Sequence, residues 1–318
     1  MTIGVVGAGA FGTALACAWA AQGPVMLWGR DCGAMARAAR DQTVPRLPGV
    51  TLPDAVTPTA DVEALGGCET IVFAVPTQSL TGALADLPDL APTHAIAACK
   101  GIDLTTLRGP TAALADRFPR AAAAILSGPS FAADIARGLP TALTLGCANE
   151  RAGEALQRLL STPALRLYRS ADVAGVELGG ALKNVVAIAC GAAMGAGFGE
   201  SARAACMTRG MAETVRLATA LGARADTLAG LSGLGDMALT CVSAQSRNYA
   251  LGLALGRGAD RPAATAEGVP TTHAALDLAD RHGIDMPLAR AVGSVLNGTA
   301  DVRGALAALL SRDLTTER

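Results

Sequence analysis

Between Glu177 and Glu200 the chain reads LGGALKNVVAIACGAAMGAGFG, and Lys183 is its only charge. An amine among small apolar residues has its charged form disfavoured. Its pKa falls toward neutrality, and it can donate a proton in one direction and accept one in the other. Two other roles compete: a lysine in a membrane span, and half of a buried ion pair, for which Asp236 is the nearest carboxylate by motif. The run is long enough to span a bilayer. It is, however, built from Gly and Ala, sets Asn184 beside the lysine, and would hold a costly charge at mid-bilayer. No second long apolar segment accompanies it, and MTIGVVGAG lacks the layout of a signal peptide. The run therefore reads as a close-packed, buried helix.

A second group of candidates crowds GLSGLGDMALTCVSAQSRNYALG, residues 230–252: Asp236, Thr240, Ser246, Arg247 and Asn248. Helix caps and a surface loop would account for these residue types as readily as a binding site. Arg247, a planar multi-donor cation, suits a phosphate dianion. Two further loops, CKGI (99–102) and SGPSFAADI (127–135), follow strand candidates. Ligands in open α/β sheets bind beyond the carboxyl ends of strands, which places Lys100 and Ser130 well.

Other chemistries have little support. Eight cysteines stand singly at 17, 32, 68, 99, 147, 190, 206 and 241, with no C-x-x-C pair, as reduced structural thiols of a cytoplasmic protein would. The histidines, His94, His273 and His282, are scattered, and neither H-E-x-x-H nor G-x-S-x-G occurs. No metal site is expected. A net charge of −1 argues against nucleic acid or an anionic membrane as main partner.

The elements that must hold these residues begin at the N-terminus. An apolar strand candidate, TIGVVG (2–7), runs straight into G7-A-G-A-F-G12 and the helical TALACAWAAQ, and VMLWG (25–29) follows. Strand, glycine turn, helix and strand in this order make G-x-G-x-x-G meaningful as a dinucleotide site. Gly7 permits the tight turn, Gly9 lets a pyrophosphate approach the backbone, and Gly12 lets the helix pack on the strand; the helix start at Ala10 and Phe11 supplies amides. An acidic residue after the second strand would hold the ribose diol of NAD, and an arginine the 2′-phosphate of NADP. The chain has Arg30 then Asp31, which tilts the balance slightly toward NADP, although Arg30 also fits a solvated loop.

Further strand candidates lie at 70–75, 95–99, 121–126, 141–146 and 165–168, separated by helical segments. Continuous apolar runs of this kind fit strands buried on both faces. The expected fold is α/β: a Rossmann-type doubly wound sheet over residues 1–170, then an all-helical domain over 171–318, with long helical segments at 172–195, 201–222 and 271–281. With 51% hydrophobic but only 3% aromatic residues, the cores must rely on Ala, Leu and Val.

In order and spacing, G-A-G-A-F-G-T-A-L-A, L-W-G-R-D, C-K-G-I, S-G-P-S-F-A, G-V-E-L-G-G-A-L-K-N-V, G-L-G-D with L-T-C, and Q-S-R-N resemble the bacterial-type NAD(P)-dependent sn-glycerol-3-phosphate dehydrogenases along nearly the whole chain. The resemblance implies interconversion of sn-glycerol 3-phosphate and dihydroxyacetone phosphate with NADP or NAD, supplying phospholipid synthesis. It casts Lys183 as general acid/base, with Lys100, Gly128, Ser130, Asn184, Asp236, Thr240, Ser246, Arg247 and Asn248 around substrate. Gly7, Gly9, Ala10, Phe11, Gly12, Arg30, Lys100, Ala132, Arg247 and Glu267 would face the cofactor, and the expected assembly is a homodimer. Ala133-Asp134, where the family often has Lys-Glu, and Pro270 after Glu267 depart from the pattern and loosen the cofactor clamp. The rivals are a β-hydroxyacid-type dehydrogenase, which recognises a carboxylate, and a non-catalytic dinucleotide sensor, which has no need of Lys183, Asp236 and Arg247 together.

Overall fold

The computed structural model describes residues 2–263 and 265–311; residues 1, 264 and 312–318, which include the outer ends of both expected domains, lie outside it. Eight strands form one sheet in the order β3-β2-β1-β4-β5-β6-β7-β8. They are β1 (Ile3–Val6), β2 (Val25–Trp28), β3 (Val56–Thr59), β4 (Thr70–Phe73), β5 (His94–Ala97), β6 (Ala122–Ser127), β7 (Thr141–Cys147) and β8 (Leu165–Ser170). The first six run parallel. β7 is antiparallel to β6, and β8 parallels β7.

Neighbouring residues of one strand feed opposite cores. Val5 joins Leu15, Trp19 and Leu27 on one face of the sheet, and Val6 joins Ile71, Phe73 and Leu80 on the other. Each large side chain so buried contributes about 1.5–3 kcal/mol. This two-sided burial is why central strands such as β1 and β4 read as unbroken apolar runs. The strand β3, VTPT, has no counterpart in the sequence reading. It alternates buried and exposed positions and carries Pro58, which only an edge strand tolerates.

Helices α1 (Ala10–Trp19), α2 (Cys32–Asp41), α3 (Thr77–Ala85), α4 (Pro110–Arg117), α5 (Ala132–Ala136) and α6 (Glu150–Leu160) accompany the sheet. After β8 the described chain is helical: α7 (Val173–Gly195), α8 (Glu200–Ala220), α9 (Ala225–Leu228), α10 (Asp236–Thr240), α11 (Arg247–Gly256), α12 (Gly268–His282), α13 (Pro287–Leu296) and α14 (Val302–Leu310). Their shared core includes Leu182, Ile188, Leu217, Leu251 and Val292.

α7 is the centrepiece, and among the described residues it alone is long and apolar enough to cross a membrane. Instead it is enclosed by protein. Its Gly and Ala content has a steric cause: a side chain at Gly191 would run into Tyr249 O, and one at Gly252 into Ile188 O. α7 and α11 therefore approach backbone to backbone, and Lys183 on α7 is buried.

Candidate active site

The parallel strands place their carboxyl ends on one edge, and strand order reverses on either side of β1. The glycine turn follows β1 at that switch point, where ligands of open α/β sheets bind. Gly7 has φ +115°, a conformation that favours glycine, and a side chain there would meet Ala74 O at 2.7 Å. One at Gly12 would strike Gly7 O, so this position holds α1 against the turn. At Gly9 a side chain would find nothing within 4 Å. That open space fronts the start of α1, which has neither a side-chain cap nor an acidic residue in its first turn. Its free amides and positive helix end suit a pyrophosphate. The residues fit the cofactor that the motif implies.

Gly29, at the end of β2, lies against Ala8 of this turn. Arg30 follows and is exposed. Asp31 is committed elsewhere: its carboxylate caps α2 by accepting from Ala34 N at 2.8 Å. The acidic residue that could hold a ribose diol is thus engaged, and the arginine is left facing solvent.

Lys183 projects from α7 into a cluster built by three other elements. Its Nζ donates to the Asp236 carboxylate and, at 2.8 Å, to Thr240 Oγ1. The other Asp236 oxygen accepts from Lys100 Nζ at 2.7 Å, and Lys100 also donates to Gly128 O at 2.9 Å. Asp236 is 1% exposed and Lys183 7%. Asp236 reaches this depth because a π-helical turn, Leu231–Gly235, feeds it into the first position of α10. The turn explains the first glycine of G-L-G-D, since a side chain at Gly233 would collide with Leu228 O.

Two lysines sharing one carboxylate cannot both be fully compensated. Burial lowers the Lys183 pKa to about 8; the Asp236 charge opposes that shift and the Lys100 charge adds to it. The sequence reading set an ion pair and an acid/base lysine against each other. The structure shows the ion pair, and burial still lowers the lysine pKa to about 8 because desolvation outweighs the attraction.

Asn184, one residue on, donates to Lys100 O at 3.1 Å and accepts from Asn248 Nδ2 at 2.9 Å. Asn248 in turn accepts from Gly268 N at 2.9 Å. Ser246 serves as the N-cap of α11, accepting from Tyr249 N, so the helix-cap reading holds for this member of the cluster. Arg247 is exposed at the first position of α11, and its charge offsets part of the upward shift that burial imposes on Glu267. Ser130 Oγ donates to Gly128 O at 3.1 Å, the carbonyl that Lys100 also uses. The Lys100 ammonium lies 5.9 Å from the Phe11 ring centroid, which links the glycine turn to the lysine pair. Ala10 begins α1 beside Phe11, and Ala132 begins α5.

Glu267 accepts from Thr77 N at 3.0 Å, at the start of α3. Sequence reasoning passed over Thr77, although its place just after β4, at the carboxyl edge of the sheet, was a usable signal. The two departures sit harmlessly: Asp134 pairs with Arg137 on the surface, and Pro270 falls in the first turn of α12. A cavity of about 330 Å³ between α3 and α4 contains none of the lysine cluster.

Known proteins resemble the chain along nearly its whole length. The families described as NAD-dependent glycerol-3-phosphate dehydrogenase N-terminus and C-terminus match residues 2–153 and 172–307. A Paracoccus denitrificans protein named glycerol-3-phosphate dehydrogenase, NAD(P)+, is 54% identical over the full length of both chains. A Cereibacter sphaeroides protein of the same name is 56% identical, over 99% of this chain and 100% of its own. The crystal structure of a Coxiella burnetii glycerol-3-phosphate dehydrogenase superposes with a TM-score of 0.91 at 35% identity, covering 98% of this chain and 99% of that one.

Proposed function

The chain belongs to the NAD-dependent glycerol-3-phosphate dehydrogenase family, and from that premise we propose that Lys183 is the acid/base of its reaction. The activity is interconversion of sn-glycerol 3-phosphate and dihydroxyacetone phosphate with NAD or NADP, a step of lipid metabolism. The observation that carries the role of Lys183 is its bonding: a buried amine, shifted to about 8, fixed by Asp236 and Thr240 at the end of the chain of contacts from Phe11.

When bound, the nicotinamide supplies or accepts the hydride at C2. Lys183 handles the accompanying proton. In reduction its ammonium gives a proton to the C2 oxygen as hydride arrives at carbon; in oxidation the neutral amine takes the hydroxyl proton as hydride leaves. Asp236 and Thr240 hold the amine in one place in both protonation states. Lys100, linked to the same carboxylate, returns positive charge to the site for an anionic substrate. Arg247 and Asn248 anchor the phosphate, with Gly128, Ser130, Asn184 and Ser246 lining the approach. The glycine turn with Ala10 and Phe11 receives the pyrophosphate, and Lys100, Ala132, Arg247 and Glu267 face the nicotinamide end. Arg30 favours NADP, because Asp31 is spent on capping α2.

The division of labour falls at residues 170/171, where the sheet gives way to α7. A homodimer in the cytoplasm completes the reading. Eight free cysteines, five of them buried, accord with a reducing compartment, and light scattering at twice 31.7 kDa would support the dimer.

The decisive assay is NAD(P)H oxidation with dihydroxyacetone phosphate against unphosphorylated dihydroxyacetone. Remote binding energy normally appears in the rate at the reacting centre, so the phosphorylated ketone should be turned over far more efficiently. Equal efficiency with both ketones would refute the phosphate anchor.

A further inference from the structure

Three of the helices that start without a side-chain cap of their own are α3, α4 and α13. Pro76, Gly109 and Met286 precede α3, α4 and α13, and none of them offers a capping oxygen. Each helix is instead capped by a glutamate from a distant part of the chain. Glu267 accepts from Thr77 N at 3.0 Å, and Glu177 from Thr111 N at 2.8 Å. Glu213 accepts from Leu288 N and Ala289 N at 2.6 and 3.1 Å. Burial pushes all three carboxyls up, Glu213 to about 7. Glu213 joins two helices of the same region. Glu177 and Glu267 reach from the helical region to helices packed on the sheet. Glu267 already has a place near the cofactor; Glu177 has none.

We propose that Glu177 is a positioning residue for the reaction: docked on the first turn of α4, it fixes where α7, and with it Lys183, stands relative to the dinucleotide turn. The local sequence is shaped for this contact. Pro110 has no N–H to offer, so Thr111 presents the first amide of α4. Gly109 keeps the space clear, because a side chain there would overlap the Glu177 carboxylate. A carboxylate at a helix N-terminus is favoured by the helix dipole, which offsets part of its desolvation.

The lever is short. Lys183 follows Glu177 by less than two turns of the same helix. Residues 179–193 between and beyond them are buried without a break, so a shift at one end is carried to the other. α4 lies over β5 and β6, whose carboxyl ends lead to Lys100 and Gly128. The Glu177–Thr111 bond and the Lys100–Asp236 ion pair thus both fasten the helical region to the sheet. A misplacement of about 1 Å in a reacting centre can cost about 10²-fold in rate.

The inference rests on Lys183 being the acid/base, and its test keeps the two claims apart. Glu177→Ala, Glu177→Gln and Thr111→Pro are compared in the full-length enzyme by steady-state kinetics, NADPH titration and thermal melting. Glu177→Ala and Thr111→Pro, which delete the bond from opposite sides, should lower kcat by about 10-fold or more. The NADPH Kd should stay within about 2-fold, since the glycine turn is untouched. Glu177→Gln keeps an acceptor for the Thr111 amide and should restore most of the rate. A Glu177→Ala enzyme that melts early but keeps the wild-type kcat per folded molecule would overturn the proposal. So would a Gln variant as impaired as Ala. If Glu177→Ala does not fold, Thr111→Pro and the Gln variant decide in the same way. Lys183→Met, run alongside, addresses the underlying reading: if it retains turnover, that reading falls and this inference with it, whereas an inactive Lys183→Met beside a fully active Glu177→Ala defeats only the positioning role.

Discussion

The glycine turn after β1 and the lysine cluster on α7 solve opposite problems. The turn works by leaving things out: at Gly7 and Gly12 a side chain would collide with backbone, and at Gly9 the absence leaves open space. Its parts lie within one short stretch. The lysine cluster works by crowding charges together out of water, and its parts come from four separate stretches of chain. Binding by backbone amides needs room and a helix end, which local sequence supplies. Acid/base work needs a shifted pKa, and only enclosure by distant elements gives that shift. The first region should therefore fail through shape and the second through charge.

The strongest test of that contrast is Lys183→Met, which keeps length and apolar contacts but deletes the amine. Turnover should fall by at least about 10²-fold with NADPH affinity preserved. Because Asp236 retains Lys100, the loss of stability should stay below the roughly 3–5 kcal/mol expected when a buried charge is stranded. A variant that melts early yet keeps most of its specific activity would make the lysine structural.

Arg30→Ala is the next largest effect, and it tests whether side-chain charge matters in the backbone-driven region at all. Losing a charge-assisted contact of roughly 1.5–3 kcal/mol should weaken NADPH by about 10- to 150-fold. NADH should hardly change. Equal weakening of both in a fluorescence titration would return Arg30 to the solvent.

Two alanine substitutions separate shape from binding inside the turn. Gly12→Ala must move α1 away from Gly7 and should cost about 1–3 kcal/mol of stability. Gly9→Ala should melt like the wild type, having no neighbour to strike, yet weaken both dinucleotides by roughly 10-fold, about 1.4 kcal/mol. Calorimetry beside binding would reveal any reversal of that pattern.

The smallest effect is a displacement along the pH axis. With Lys183 at about 8, ketone reduction needs the ammonium form, so its kcat/KM should be full below that value and decline above it. Alcohol oxidation needs the neutral amine and should rise through the same region. The Asp236 charge favours the ammonium, so Asp236→Asn should move both limbs to lower pH. An unmoved limb would mean that another group titrates there.

Sequence alone carried the local features. Apolar segments announced seven of the strands, and those buried on both faces, such as β1 and β4, leave an unbroken signature. The glycine spacing announced the dinucleotide turn, and the long Ala/Gly run announced α7. What stayed hidden was whatever depends on a partner far along the chain. β3 was concealed by Pro58, which is acceptable only because tertiary structure puts that strand at the sheet edge. The motifs offer Asp236 to Lys183, but the share that Lys100 takes in that carboxylate, the capping of α4 by Glu177 and the holding of Glu267 by Thr77 join residues between 66 and 190 positions apart. Nothing in the spacing of such residues records that they meet. Residue types therefore determined which groups were available for hydride and proton transfer. Packing α7 against α10, α11 and the sheet edge decided the environment that drives one lysine toward neutrality, because desolvation is a property of the folded surroundings and not of the side chain.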